Sequence, residues 1–373
     1  MPTHLNATQL ARDLALRDLT DPSAGPHAVQ LLVDIAVDAL ATAWDCEVRR
    51  CPGPRIVPVV DNYDNLNFTA DAASRDARYT RYVDDAHMLR SHASAMIPPA
   101  LRALAEDGGD DVLLVCPGVV LRRDAIDRLH TGTPHQLDLW RISRTPLGND
   151  DMDAMTRLLI DALVPGMEYR AEPRVHPYTL DGRQVDVPRR GEWVEVWECG
   201  LAHPEVLARA GLTGWHGLAL GLGLDRFLML RKDIADIRLL RSSDARVADQ
   251  MLDLSPYRPV SSLPAVTRDL SVAVDADDDV EGLGDRVRDA LGDDANAVEA
   301  VTVRSETAYD ALPASAIARM GMHPGQKNVL VRVVMRHLER SLTDEEANAL
   351  RDRVYAAIHR GSAHEWAGTR TAC

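Results

Sequence analysis

Lysine and phenylalanine are almost missing from this chain. Lys232 and Lys327 are its lysines and Phe68 and Phe227 its phenylalanines, against 8 tyrosines in 373 residues. Both biases are what a skewed genomic base composition produces, and that is the default reading of them. No apolar run approaches the roughly 20 residues that a membrane-spanning helix needs. The N-terminal stretch holds Asp13, Asp18 and Asp21 and no long apolar core, so neither a secretory signal nor a transit peptide is expected. The 5 cysteines (Cys46, Cys51, Cys116, Cys199 and Cys373) form no paired CxxC spacing, which argues against a zinc site and for reduced thiols in a cytoplasm. A formal net charge of −15 counts against indiscriminate nucleic-acid binding, while leaving room for a local basic face.

What remains is a globular composition, 46% apolar and 27% charged, long enough for two or three domains with cores of their own. Val29, Leu32, Val33, Ala36, Val37 and Leu40 recur at helical spacing and predict a helix over 26–44. The apolar run 112–121 reads as a buried strand, with 136–142 as its hairpin partner and 193–199 as a further strand. Two prolines in Leu254-Ser-Pro-Tyr-Arg-Pro259 disfavour a continuing helix and mark a boundary. Beyond it, the order strand (270–274), helix (280–291), strand (297–303), strand (329–335), helix fits a split βαβ module. The last helix opens on a capping box between Thr343 and Glu346.

The segment richest in chemistry is Gly217-Leu-Ala-Leu-Gly-Leu-Gly-Leu-Asp-Arg226, followed by Asp236-Ile-Arg238. It reads as an apolar strand running into a helix near Leu224. Gly221 and Gly223 have no Cβ, so a ligand can approach the backbone there, and Arg226 lies just beyond, placed for a phosphate or a flat ring.

This stretch resembles motif 3 of the class II aminoacyl-tRNA synthetases, in the form used by phenylalanyl-tRNA synthetases. Val120-Leu-Arg-Arg-Asp-Ala-Ile-Asp-Arg-Leu-His-Thr-Gly-Thr-Pro-His-Gln-Leu-Asp138 is similar to motif 2. Leu89-Arg-Ser-His-Ala-Ser94 resembles the family's Leu-Arg-Thr-His-Thr-Ser, and Asp61-Asn-Tyr-Asp-Asn-Leu-Asn67 with Ser74-Arg-Asp76 its lead-in. Pro259-Val-Ser-Ser-Leu-Pro-Ala-Val-Thr-Arg-Asp-Leu-Ser271 and Arg336-His-Leu-Glu-Arg-Ser-Leu-Thr-Asp-Glu-Glu346 resemble the family's ferredoxin-fold anticodon-binding domain. The resemblance implies an α+β chain. An antiparallel-sheet catalytic core over 1–250 would be followed by a ferredoxin-like βαββαβ domain over 256–373, in the single-chain, monomeric layout of organellar enzymes.

The activity implied is ATP-dependent formation of an aminoacyl-adenylate and transfer to tRNA, with Mg²⁺ as cofactor and phenylalanine or a related side chain as substrate. On the resemblance, Arg122, His130 and Arg226 are the catalytic residues. ATP would be bound by these together with Thr131, Glu195, Gly221 and Gly223, with Glu195 serving the metal. The amino acid would meet His92, Ser94, Gln136, Asp138, His176, Tyr178, Ala219 and Leu220. Arg332, Arg336 and Arg340 are candidate contacts for tRNA phosphate.

The departures from the family pattern cluster at the ligands. Pro134 stands for the phenylalanine that stacks on adenine, and His176-Pro-Tyr178 for Phe-Pro-Phe. Thr179-Leu-Asp-Gly182 replaces Thr-Glu-Pro-Ser, Leu220 the aromatic of motif 3, Asp138 a glutamate, and Tyr79-Thr-Arg81 an Asp-Thr-Phe. These changes bear on specificity before chemistry, and they keep two alternatives open: a paralogue activating another amino acid or analogue, and a non-catalytic tRNA-binding protein.

Overall fold

The structure is a computed structural model that describes residues 4–75, 80–260 and 263–363. Asp76, Tyr79, Ser261, Ser262 and Cys373, which enter the sequence argument, lie outside the described residues. The chain divides into two compact units. The first holds residues 1–122, 133–240 and 245–258, and the second 123–132, 241–244 and 259–373.

The strands in chain order are β1 (Glu47–Arg50), β2 (Ile56–Pro58), β3 (His87–Leu89), β4 (Asp111–Val119), β5 (His135–Ser143), β6 (Arg170–Pro173), β7 (Thr179–Arg189), β8 (Glu192–Ala202) and β9 (His216–Gly223) in the first unit. The second unit supplies β10 (Val266–Asp275), β11 (Val298–Ala308) and β12 (Gln326–Met335). In the first unit seven strands pair in the order β1-β4-β5-β9-β8-β7-β6, with β2 and β3 as a separate ribbon. β1 runs parallel to β4 and every other pairing in this sheet is antiparallel.

Side chains alternate between the two faces of a strand, and residues opposite each other in register share a face. One face of this sheet packs against the helices Ala28–Trp44, Asn149–Leu163 and Leu224–Lys232. Ala28–Trp44 forms where the apolar spacing predicts it. His27 caps its start by accepting the Val29 N–H at 3.2 Å, and Asp45 ends it in the left-handed region. On the opposite face, Val112, Leu114, Cys116, Trp140, Ile142, Ala202 and Ala219 join Ile97, Ala100, Leu101 and Leu104 of the helix Ile97–Asp107 in one apolar core. That core covers one half of the face; the candidate site occupies the other.

In the second unit β10, β12 and β11 form an antiparallel sheet in that order. The helices Val280–Leu291 and Asp344–Ile358 cover one side of it through Leu283, Val287, Leu350, Val354 and Ile358. Thr343 and Glu346 form the expected capping box. The complete ferredoxin-like βαββαβ module is not found among the described residues. A helix, Ala314–Met320, intervenes between the second and third strands, and among the described residues, which end at 363, no fourth strand follows the last helix. The edge of β10 is satisfied differently. The Ala273 N–H donates to the His359 ring at 3.1 Å, and the Arg360 N–H donates to the Ala273 carbonyl at 2.8 Å. A side chain thus takes the place a strand carbonyl would fill. Among the described residues, no helix is long and apolar enough to cross a membrane.

Candidate active site

Three cross-strand rows on this face of the seven-stranded sheet build the site, and the last of them runs into the apolar core. Gly118, Gln136 and Gly223 are opposite one another on β4, β5 and β9. The next row runs Cys116, Asp138, Gly221 and Glu198, across to β8. The third runs Leu114, Trp140, Ala219 and Gly200. A Cβ added at Gly223 would meet nothing within 4 Å, and one at Gly221 only the Asp138 carboxylate, at 3.4 Å. The backbone of β9 is therefore open to a ligand at both glycines. Leu220 falls between Ala219 and Gly221, opposite Leu139, and so faces the helices. Its expected place among the amino-acid contacts is corrected by strand alternation.

The helix Leu224–Lys232 starts directly after Gly223 and carries Arg226, whose guanidinium donates to the Glu195 carbonyl at 3.3 Å. A buried clip fixes this helix start. The Leu19 N–H donates to His135 Nε2 at 3.1 Å, so the ring proton sits on Nδ1, 3.0 Å from Asp225 Oδ1. The His135 N–H donates to the same carboxylate. On β8 an extra residue at Val196, where the register with β7 shifts, turns Glu195 onto the face that holds Glu198. Burial raises the Glu195 pKa, the neighbouring Glu198 raises it further, and Arg226 opposes both. Burial would also raise Glu198, but its contact with His176, at 3.0 Å, and the Arg174 guanidinium bring it below the usual range.

Asp138 is 3% exposed, and its Oδ2 has no hydrogen-bond partner. Burial pushes its pKa up to about 7, against the Ser94 hydroxyl and the Trp140 indole, which both favour the charged form. A carboxylate left unpaired in an interior needs an explanation, and a cationic ligand supplies one. Ser94 and His92 are held beside it because the Ala93 N–H donates to Gln136 Oε1 at 3.0 Å. Burial lowers His92 to about 4, with Asn62 opposing and the Arg122 charge adding, so its ring is neutral near pH 7. Tyr178 stacks on Trp140 with ring centroids 6.0 Å apart and on His176 at 5.7 Å. Its pKa is raised by burial and by the charges of Asp138 and Glu198.

The structure therefore gathers His92, Ser94, Gln136, Asp138, Tyr178 and Ala219 around one region of the sheet. Gly221, Gly223, Glu195 and Arg226 line the part next to it. Residues 123–132, with His130 and Thr131, fold with the second unit. Ile126 enters that unit's apolar core, its carbonyl accepts the Val301 N–H at 2.8 Å, and Arg123 pairs with Asp285 at 3.2 Å. His130 contacts Asp127 at 2.7 Å. Of the expected tRNA contacts, Arg332 pairs with Asp269 and Arg340 with Glu346 at exposed positions. Arg336 is instead drawn inward by Glu299, 6% exposed, at 2.5 Å and by the Leu263 carbonyl.

Residues 24–251 match the family of tRNA synthetases described as the class II core domain (F). The chain belongs to this family. A probable mitochondrial phenylalanine–tRNA ligase of Drosophila melanogaster is 28% identical over 363 residues, covering 81% of this chain and 75% of that protein. The phenylalanine–tRNA ligase alpha subunit of Prochlorococcus marinus (strain MIT 9313) is 36% identical over 204 residues, 54% of this chain and 59% of the subunit. That of Leptospira biflexa is 32% identical over 212 residues, 53% and 61%. The chain thus spans about three-fifths of these alpha subunits. Among solved structures, pyrrolysyl-tRNA synthetase from Desulfitobacterium hafniense aligns at 19% identity with a TM-score of 0.47, over 58% of this chain and 74% of that one, too distant to bear on function.

Within this family frame, Trp140 is the site residue that the motif comparison misses. The signal was present in the alternation: Gln136, Asp138 and Trp140 are successive residues of one strand face. Glu198 escapes for a different reason, because the bulge that pairs it with Glu195 has no sequence signature.

Proposed function

We propose that this chain activates an amino acid with ATP and transfers it to tRNA, acting in the cytoplasm as a monomeric ligase of the phenylalanine–tRNA ligase type. The observation that carries this reading is the open strand at Gly221 and Gly223, flanked by Arg226 and Glu195 and ending at the buried, unpaired Asp138. An anion and a cation can be bound side by side there.

In the first step a carboxylate oxygen of the amino acid attacks the α-phosphorus of ATP and pyrophosphate leaves. In the second a ribose hydroxyl of the tRNA attacks the adenylate carbonyl and AMP leaves. Neither step needs a protein nucleophile. The protein's work is to hold two anions together and to stabilise the charge that develops. Arg226 and Arg122 supply positive charge, and Asp138 takes the ammonium group, with Ser94 and His92 setting its surroundings.

Glu195 and Glu198 are two carboxylates on one face whose charges oppose each other, and they would hold a hard divalent cation. When bound, Mg²⁺ would neutralise phosphate charge at that position. In the second unit, exposed Arg332 and Arg340 could exchange their present carboxylate partners for phosphate, while the buried pairing of Arg336 favours a structural part.

The test is charging of total tRNA with a mixture of labelled amino acids and ATP. A labelled aminoacyl ester on tRNA, released by mild base, supports the reading. Adenylate formation without any transfer would replace tRNA by another acceptor.

A further inference from the structure

The half of the sheet face beyond Asp138 is filled. We infer that this site activates a small amino acid, of glycine, alanine or serine size, and that Trp140 together with Tyr178 excludes a phenyl ring. The inference rests on the functional reading above and names the substrate class of that same site.

The ammonium group is anchored at Asp138, whose Oδ2 is buried and has no hydrogen-bond partner. ATP takes the side where the glycines leave β9 open, so the amino-acid side chain must point away from Gly223, toward the row of Trp140, Ala219 and Gly200. That row has no room. Trp140 is 0% and Ala219 1% exposed, and both belong to the apolar core beneath the helix Ile97–Asp107. Trp140 follows Asp138 on the same face of β5, so a side chain leaving the anchored Cα toward that row meets the indole. Tyr178 closes the space from above by stacking on that indole, and Phe68 backs Tyr178 at 6.0 Å. At the far end of the row, a Cβ on Gly200 would already stand 2.7 Å from the Thr179 side chain. The contrast along one strand is direct: ordinary or open space at Gly221 and Gly223, none at Ala219.

The test is amino-acid-dependent ATP–pyrophosphate exchange by the full chain across the standard amino acids, repeated with Trp140→Leu and Tyr178→Ala. Binding of alanyl- and phenylalanyl-sulfamoyl-adenosine is measured in parallel. The expected result is exchange with glycine, alanine or serine at least about tenfold above phenylalanine, and a shift of about tenfold or more toward phenylalanine in either variant. Tyr178 is only partly buried, so Tyr178→Ala carries the test if Trp140→Leu fails to fold. Preference of the native chain for phenylalanine overturns the inference and leaves the functional reading intact. A small-substrate preference that neither variant shifts overturns the assignment to Trp140 and Tyr178. Absence of exchange with every amino acid, with neither adenylate analogue bound, overturns the functional reading and this inference with it.

Discussion

Two neighbouring parts of one sheet face have met opposite fates. Around Gly221 and Gly223 the backbone is bare, Arg226 stands at the start of its helix, and Glu195 and Glu198 share a side. One row away, Trp140, Tyr178 and Thr179 fill what the strand geometry would otherwise leave free. If the open half takes the nucleotide and the filled half the amino acid, as proposed, the two requirements are met by separate rows of the sheet. The same phosphate chemistry serves any amino acid, whereas the side-chain pocket answers only to size and polarity.

The largest test of this contrast is Arg226→Ala. If the guanidinium stabilises charge at the phosphates, pyrophosphate exchange falls on the order of 10²–10³-fold. A fall of less than about threefold would show that the open half is not the nucleotide site.

A matched pair of glycine substitutions sharpens the contrast in stability. Gly200→Ala drives a methyl into Thr179, and should cost about 1–3 kcal/mol in urea unfolding. Gly221→Ala meets only ordinary contact with Asp138, and should change stability by less than about 0.5 kcal/mol while raising the KM for ATP. Equal stability losses would remove the distinction between open and filled halves.

Asp138 links the two halves through pH. Burial penalises the charged form and pushes its pKa from the ordinary 3.8 up to about 7. The stability it contributes is full below pH 3.8, declines as the pH rises to about 7 and is level above that. Binding of an ammonium group needs the charged form, so the KM for the amino acid should fall as the pH rises through about 7. Asp138→Asn should weaken amino-acid binding and flatten that profile. A profile unchanged in the variant would move the ammonium anchor elsewhere.

The smallest expected effect lies behind the carboxylate. Hydrogen bonding with the Cys116 thiol lowers Cys51 to about 7, against burial and with help from Arg49, whereas Cys116 is fully buried and raised well above its ordinary value. Iodoacetamide at neutral pH should therefore label Cys51 well before Cys116, as read by peptide mass spectrometry. Equal labelling would mean that the core behind Asp138 opens.

Much of the open half is legible in the sequence, because glycines at fixed spacing before an arginine state a geometric need directly. The helices Val280–Leu291 and Asp344–Ile358 are legible for a similar reason, through apolar period and a capping box. The filled half is hidden. Trp140 looks like an ordinary core residue until register puts it opposite Ala219, and the stack on Tyr178 joins residues far apart in the chain. Leu220 shows the converse failure, where a place in a motif suggested a contact that strand alternation forbids. That the β10 edge is met by the His359 ring could not be read either, since a side-chain acceptor there leaves no pattern in the sequence.

The most direct test of the account is ATP–pyrophosphate exchange measured side by side for the native chain and Arg226→Ala, with each amino acid in turn. The account predicts exchange that requires an amino acid, favours a small one and is lost in the variant. Exchange that survives in Arg226→Ala, or none with any amino acid, would contradict it.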